Sequence, residues 1–137
     1  MTISKIQVGD KLPELQIPIT ALQIVSGAIA TQDFENVHHD KAAAQAAGTP
    51  DIFMNILTTN GLVGRYLTDW AGEHARLKRI QLRLGAPNFP GDTMTMSAKV
   101  SGTENGIIEV EFRGKNGLGN HVTGSASLTF VENTAGA

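Results

Sequence analysis

Asp33, Glu35, His38, His39 and Asp40 put five ionisable side chains into eight residues. No other stretch of the chain sets carboxylates and imidazoles together so densely. One reading is a solvated loop in which Asp40 caps the helix that follows, because loops are commonly polar. The other is an acid/base pair. A carboxylate at Asp33 and an imidazole at His38 stand five positions apart, too far round to share a helical face. A bend between them could bring them together over one substrate atom. General acid–base catalysis needs that pairing, since a carboxylate accepts protons and an imidazole exchanges them near neutrality.

Other chemistries find little support. The chain has no cysteine, which removes disulfides, thiolate metal sites and thiol nucleophiles. Adjacent imidazoles at His38 and His39 point apart, and His74 and His121 fall in other elements, so no metal is expected. Gly117-Leu118-Gly119 lies between two strand-like segments and not ahead of a helix, which fails the dinucleotide pattern. Eleven Lys and Arg against thirteen Asp and Glu leave a net charge of -2, without the basic excess of a nucleic-acid binder. No apolar run approaches a membrane span, and the N-terminal stretch lacks a signal-peptide core. A cytoplasmic protein is expected.

The elements around the polar cluster follow from periodicity. With 137 residues, 41% hydrophobic and 18% charged, the chain suits one folded domain, 1–137, with a frayed small-residue tail at 132–137. Residues 12–19 hold two prolines and read as an extended edge segment. Residues 20–31 suit a short helix. Asp40 is a natural N-cap for KAAAQAA, with Gly48 as its C′ residue. A longer helix is expected over roughly 51–69, with Asp51 as N-cap. It is apolar on nearly all sides and therefore buried. Gly61 and Gly64 read as points where another backbone approaches it.

The second half changes period. Ile80, Leu82 and Leu84 alternate with charged or polar neighbours. So do Met94 to Val100, Ile108 to Phe112, and Val122 to Phe130. Turn residues at 88–92, 103–106 and 115–120 separate these runs, which makes an antiparallel sheet with one buried face. One curved sheet wrapped around a buried helix is an α+β layout, the hot-dog arrangement. Its free edge strand invites a second subunit, so a dimer is expected.

With that frame in place, D-x-x-x-x-H-x-D followed by a short Ala-rich helix and a buried helix resembles the signature of MaoC-like (R)-specific enoyl-CoA hydratases. Their pattern is D-x-N-P-x-H-x-[DE]. Asp33, His38 and Asp40 fall on the acidic and histidine positions. Glu35 and Asn36 stand where the family has Asn and Pro. ATQDFENVHHD, DIFMNILTTNGLVGRYLTDWAG and LRLGAPNFPGDTMT together resemble one branch more closely, the small subunit of two-subunit steroid side-chain enoyl-CoA hydratases. The similarity runs from about Ile24 to the last strand.

The resemblance implies hydration of a trans-2-enoyl-CoA to a 3-hydroxyacyl-CoA, with Asp33 and His38 as the catalytic pair. The acyl group could be a bulky steroid side chain. No cofactor is called for, CoA being part of the substrate. Asn55 would supply a backbone N–H to the enolate-like oxygen, or orient the loop. Asn36 and Asp40 would contact substrate. The partner would be a second copy or a second MaoC-like subunit. Arg65, Arg76, Lys78, Arg79 and Arg83 hold five of the eleven basic side chains in nineteen positions. Arg65, Arg79 and Arg83 among them are candidates for the CoA phosphates; otherwise they form a solvated face.

Two other functions fit the same frame: a hot-dog acyl-CoA thioesterase, and a non-catalytic subunit. Thioesterases of this fold usually carry a carboxylate on the central helix. Here Asp51 and Asp69 stand only near its ends. The intact Asp33/His38 pair argues against a non-catalytic role.

Overall fold

A computed structural model describes residues 5–131. The expected frayed tail at 132–137 lies outside the described residues. The elements run β1 (Leu15–Pro18), α1 (Ala21–Ala30), a single 3-10 turn (Asn36–His38), α2 (Lys41–Ala46), α3 (Ile56–Ala71), β2 (Ala75–Leu84), β3 (Thr93–Glu104), β4 (Ile107–Asn116) and β5 (Gly119–Phe130). The five strands form one antiparallel sheet in the order β1-β3-β4-β5-β2. This is the hot-dog arrangement, with α3 held against the sheet.

Alternation in the sequence dictates the buried face of that sheet. Met94, Met96, Val110, Val122, Ala126 and Leu128 are buried on it. Val63, Tyr66, Leu67 and Ala71 of α3 and Ile24 of α1 complete the same core. Burying a Leu- or Val-sized side chain is worth about 1.5–3 kcal/mol, so these residues dominate the stabilisation. The β3–β4 hairpin turns on Asn105 and Gly106, at φ 54° and 77°. Both lie in the left-handed region that a two-residue hairpin turn demands, which explains the Asn-Gly pair. The β2–β5 pairing shifts register between Leu77 and Arg79. A bulge with exposed basic residues on an edge strand discourages indiscriminate pairing.

Three expectations about the central helix are corrected. Its N-cap is Asn55, not Asp51, and the helix begins at Ile56. Asp51 instead accepts from the Ile52 N–H at 2.8 Å, and residues 51–55 are irregular chain tied to the polar loop, the Phe53 N–H donating to the Val37 carbonyl at 3.3 Å. The apolar run 52–54 is irregular chain with Ile52 and Met54 buried, which periodicity cannot tell from a buried helical turn. Nor is the helix covered all round. Thr59, Val63, Tyr66, Leu67 and Ala71 are buried, whereas Ile56 and Leu57 are each 47% exposed. Finally, Gly61 and Gly64 are not close-packing points. A Cβ at Gly61 would meet nothing within 4 Å, and one at Gly64 only Leu77 Cδ2 at 3.9 Å. The intimate contact falls at Gly27 of α1, where a Cβ would collide with the Thr58 side chain of α3.

Tyr66 ties the N-terminal segment to this helix by donating to the Pro13 carbonyl at 2.8 Å. Burial, reinforced by the negative charge of Glu14, pushes the phenol up to about 12. Among the described residues no helix is long and apolar enough to cross a membrane.

Candidate active site

The polar cluster is organised by three short local structures. Helix α1 ends at Ala30, and Gln32 turns the chain with φ 58°. Asp33 follows, with its N–H bonded to the Ala28 carbonyl at 2.9 Å. The 3-10 turn then lifts His38 back toward Asp33. Asp40 caps α2 by accepting from the Ala43 N–H, and Gly48 sits beyond the helix at φ 102°, both as expected.

The two residues five apart do converge. His38 Nε2 lies 3.4 Å from Asp33 Oδ2. His38 is 8% exposed and is one of few buried polar groups. Its Nδ1 lies 2.7 Å from the Phe53 carbonyl. A carbonyl only accepts, so Nδ1 carries the proton in the neutral ring, and Nε2 presents a lone pair toward the carboxylate. The Phe53 ring meets the imidazole edge-on at a centroid distance of 5.1 Å.

Asn55 holds the other side of the pair. Its Nδ2 donates to Asp33 Oδ2 at 3.0 Å and to Thr31 Oγ1 at 2.9 Å. Its Oδ1 accepts from the N–H and hydroxyl of Thr58. Both amide protons and the amide oxygen are thus committed, and the residue is 2% exposed. What Asn55 retains toward a ligand is its backbone N–H, beside the open N–H groups of the first helical turn. The Asn55 hydrogen bond, first, with the Glu35 N–H and the charge of His38, holds the Asp33 carboxyl below the ordinary carboxylate value of 3.8, against an upward push from burial.

The remaining candidates are placed as follows. Asn36 opens the 3-10 turn and borders an exposed depression with Gln32, Asp33, Phe34 and Glu35. Asp40 is occupied by capping. Arg65 lies 3.6 Å from Asp69 on the same helix. Arg79 and Arg83 lie on β2, and Arg83 borders an outer-face depression with Glu111 and Ser125. Among the described residues none of these three arginines contacts the Asp33 group. Sequence reasoning missed Thr31, the Phe53 carbonyl, Thr59 and His121. The last two are 0% and 2% exposed and share a hydrogen bond of 2.8 Å. Thr59 lies in the run expected to be a buried helix, whereas the alternation from Val122 puts His121 on the outward face, so its burial had no signal in the local pattern.

Comparison with known proteins fits this geometry. A relative from Mycobacterium tuberculosis (strain ATCC 25618 / H37Rv), the 3-oxo-4,17-pregnadiene-20-carboxyl-CoA hydratase beta subunit, is 51% identical over 122 residues, covering 89% of this chain and 95% of that protein. The crystal structure of the ChsH1-ChsH2 complex from Mycobacterium tuberculosis matches with a TM-score of 0.89 and 50% identity, over 90% of this chain and 98% of the matched one. The (R)-hydratase from A. caviae involved in PHA biosynthesis matches with a TM-score of 0.83 at 22% identity, over 92% and 98%. At that identity it speaks for the fold alone. The family model described as "MaoC like domain" matches residues 5–120, and the chain belongs to that family.

Proposed function

We propose that this chain is the Asp/His-bearing subunit of an enoyl-CoA hydratase that adds water to a 2-enoyl-CoA to give a 3-hydroxyacyl-CoA. The observation that carries the reading is the pair of acceptors 3.4 Å apart, His38 Nε2 and Asp33 Oδ2. With Nδ1–H given to Phe53, both atoms seek a donor, and a water molecule offers one O–H to each. The water oxygen then bonds to Cβ as one of its protons passes to the pair. The Cα=Cβ electrons move toward the thioester carbonyl, and the pair returns a proton to Cα, so that H and OH have been added and nothing is left over. Such acid–base assistance is worth about 10²–10⁴-fold. Donors near the N-terminus of α3, the Asn55 N–H among them, suit the developing oxyanion, since their dipoles are fixed before reaction.

The substrate class is a steroid side-chain enoyl-CoA, by kinship with the mycobacterial beta subunit. Assembly with a second MaoC-like subunit is the matching quaternary reading. The structure supports it physically: Phe34 is 66% exposed beside Asp33, and Ile56 and Leu57 are exposed beside Asn55. An acyl chain needs apolar walls on more than one side, and these residues supply one wall. Asn36 and Asp40, and the arginines 65, 79 and 83 for the CoA phosphates, stay part of this proposal as contacts rather than proton carriers.

The test is hydration of crotonyl-CoA and of a steroid side-chain enoyl-CoA, followed by loss of enoyl absorbance, with the chain alone and with any MaoC-like protein encoded beside it. Asp33→Asn and His38→Ala should each lower turnover by about 10²-fold or more while the melting temperature holds. Variants that keep full rate would refute the site. Release of free CoA would make the protein a thioesterase.

A further inference from the structure

His121 lies near the start of β5, and the hydration chemistry above makes no use of it. The ring is 2% exposed, yet both nitrogens are engaged. Nδ1 lies 2.7 Å from the Ala86 carbonyl, and Nε2 lies 2.8 Å from Thr59 Oγ1. Since Ala86 O only accepts, the neutral ring carries its proton on Nδ1, and Thr59 donates its hydroxyl proton to Nε2. Burial lowers the basicity of this ring, in keeping with that neutral form. An apolar side chain would fill the same space without desolvating two nitrogens. The two hydrogen bonds are therefore what the imidazole contributes.

Those bonds act on the turn that aims Asn55. Thr59 lies one residue beyond Thr58, whose N–H and hydroxyl fix the Asn55 side-chain oxygen. The Thr59 N–H reaches the Asn55 carbonyl at 3.3 Å, a long bond for a first helical turn. Helix ends held only by such bonds fray. The ring's own base is firm: Gly85 and Ala86 donate to the carbonyls of His121 and Asn120, each at 2.8 Å. The sheet thus grips the first turn of α3 through one imidazole and one hydroxyl.

We infer that His121 and Thr59 are positioning residues, which lock the first turn of α3 to the sheet and so hold the Asn55 amide on the Asp33 carboxylate. This deepens the hydratase reading and rests on it for its kinetic consequence. Its structural consequence stands apart: loss of the Thr59 hydroxyl loosens the Asn55–Asp33 hydrogen bond. The Asp33 carboxyl then titrates at higher pH.

The experiment compares Thr59→Val, which keeps the shape and removes the hydroxyl, with Thr59→Ser, which keeps the hydroxyl. Carbon-13 NMR of the Asp33 carboxyl and steady-state kinetics of the assembled enzyme are read on each. Thr59→Val should raise the Asp33 titration midpoint and lower kcat about tenfold with KM near the unsubstituted value. Thr59→Ser should restore both. A Thr59→Val protein with unchanged Asp33 titration and kcat overturns the inference. If the unsubstituted enzyme hydrates nothing, the hydratase reading falls, while the Asp33 titration still decides the coupling. Imidazole nitrogen-15 shifts of the unsubstituted protein provide a check that no variant's folding can obscure. A neutral Nδ1–H tautomer at His121 agrees with the inference, and an Nε2–H tautomer at neutral pH overturns it.

Discussion

Asn55 is the side chain on which two separate duties meet. Its oxygen caps α3 and its nitrogen steadies Asp33. Substitution can separate the two. Asn55→Ala loses both, and the missing cap alone costs about 1 kcal/mol. Asn55→Asp keeps an N-cap acceptor but replaces the donor facing Asp33 with a second carboxylate. Like charges at that range oppose ionisation of both. Asn55→Asp should therefore melt below the unsubstituted protein at neutral pH, by less as acid protonates the pair, and turn over at least about tenfold more slowly. Calorimetry beside enoyl-CoA kinetics checks this. An Asn55→Asp protein that melts and turns over like the unsubstituted one, while Asn55→Ala loses both, would assign Asn55 to capping alone.

The crossing of α1 over α3 at Gly27 and Thr58 joins packing to the site. Alanine within a helix is favoured over glycine by about 1 kcal/mol, so propensity alone predicts that Gly27→Ala stabilises. A methyl there would overlap the Thr58 side chain. Thr58 is β-branched and stiff, and its hydroxyl is already bonded to Asn55. Overpacking of this kind costs about 1–3 kcal/mol, which exceeds the propensity gain. Gly27→Ala should lower the melting temperature and also reduce turnover, because the displaced group is the one that fixes Asn55. Gly61→Ala, where a Cβ meets nothing within 4 Å, should preserve or raise the melting temperature of the isolated chain.

Across the whole molecule, stability on the acid side should depend on pH through two groups. His121 titrates near 6.5 when unfolded and lower when folded, because burial disfavours its charge. Between those values the unfolded chain holds a proton that the native chain lacks. Stability is then full above about 6.5 and declines as the pH falls toward the native value. Asp33 adds a second loss further down. Its native value lies below 3.8, so its contribution is present above 3.8 and disappears as the pH falls through the native value. Melting curves should be flat near neutrality and fall on acidification. His121→Gln, which cannot titrate, should flatten the decline that begins near 6.5, whatever its effect on the melting temperature at neutral pH. An unaltered slope in that variant would remove His121 from the account.

Local pattern carried much of this protein's design. Alternating residues from Ile80 to Phe130 announced the sheet, since a strand's two faces repeat every second residue. The Asp33–His38 spacing raised the acid/base pair, and Asp40 and Gly48 marked the ends of α2. Where α3 begins was hidden, because the run 52–54 is apolar whether helical or not, and only its packing against the polar loop keeps it out of the helix. The glycine that matters for packing was hidden too, since close approach depends on which helices cross. The hydrogen bonds that aim the site lie further still from local pattern. Asn55 reaches Asp33 across 22 residues and Thr59 reaches His121 across 62. Periodicity records which face a side chain takes on its own element. It holds no information about which distant polar atom awaits there, and that choice is made only when helix and sheet pack and each buried donor must find an acceptor.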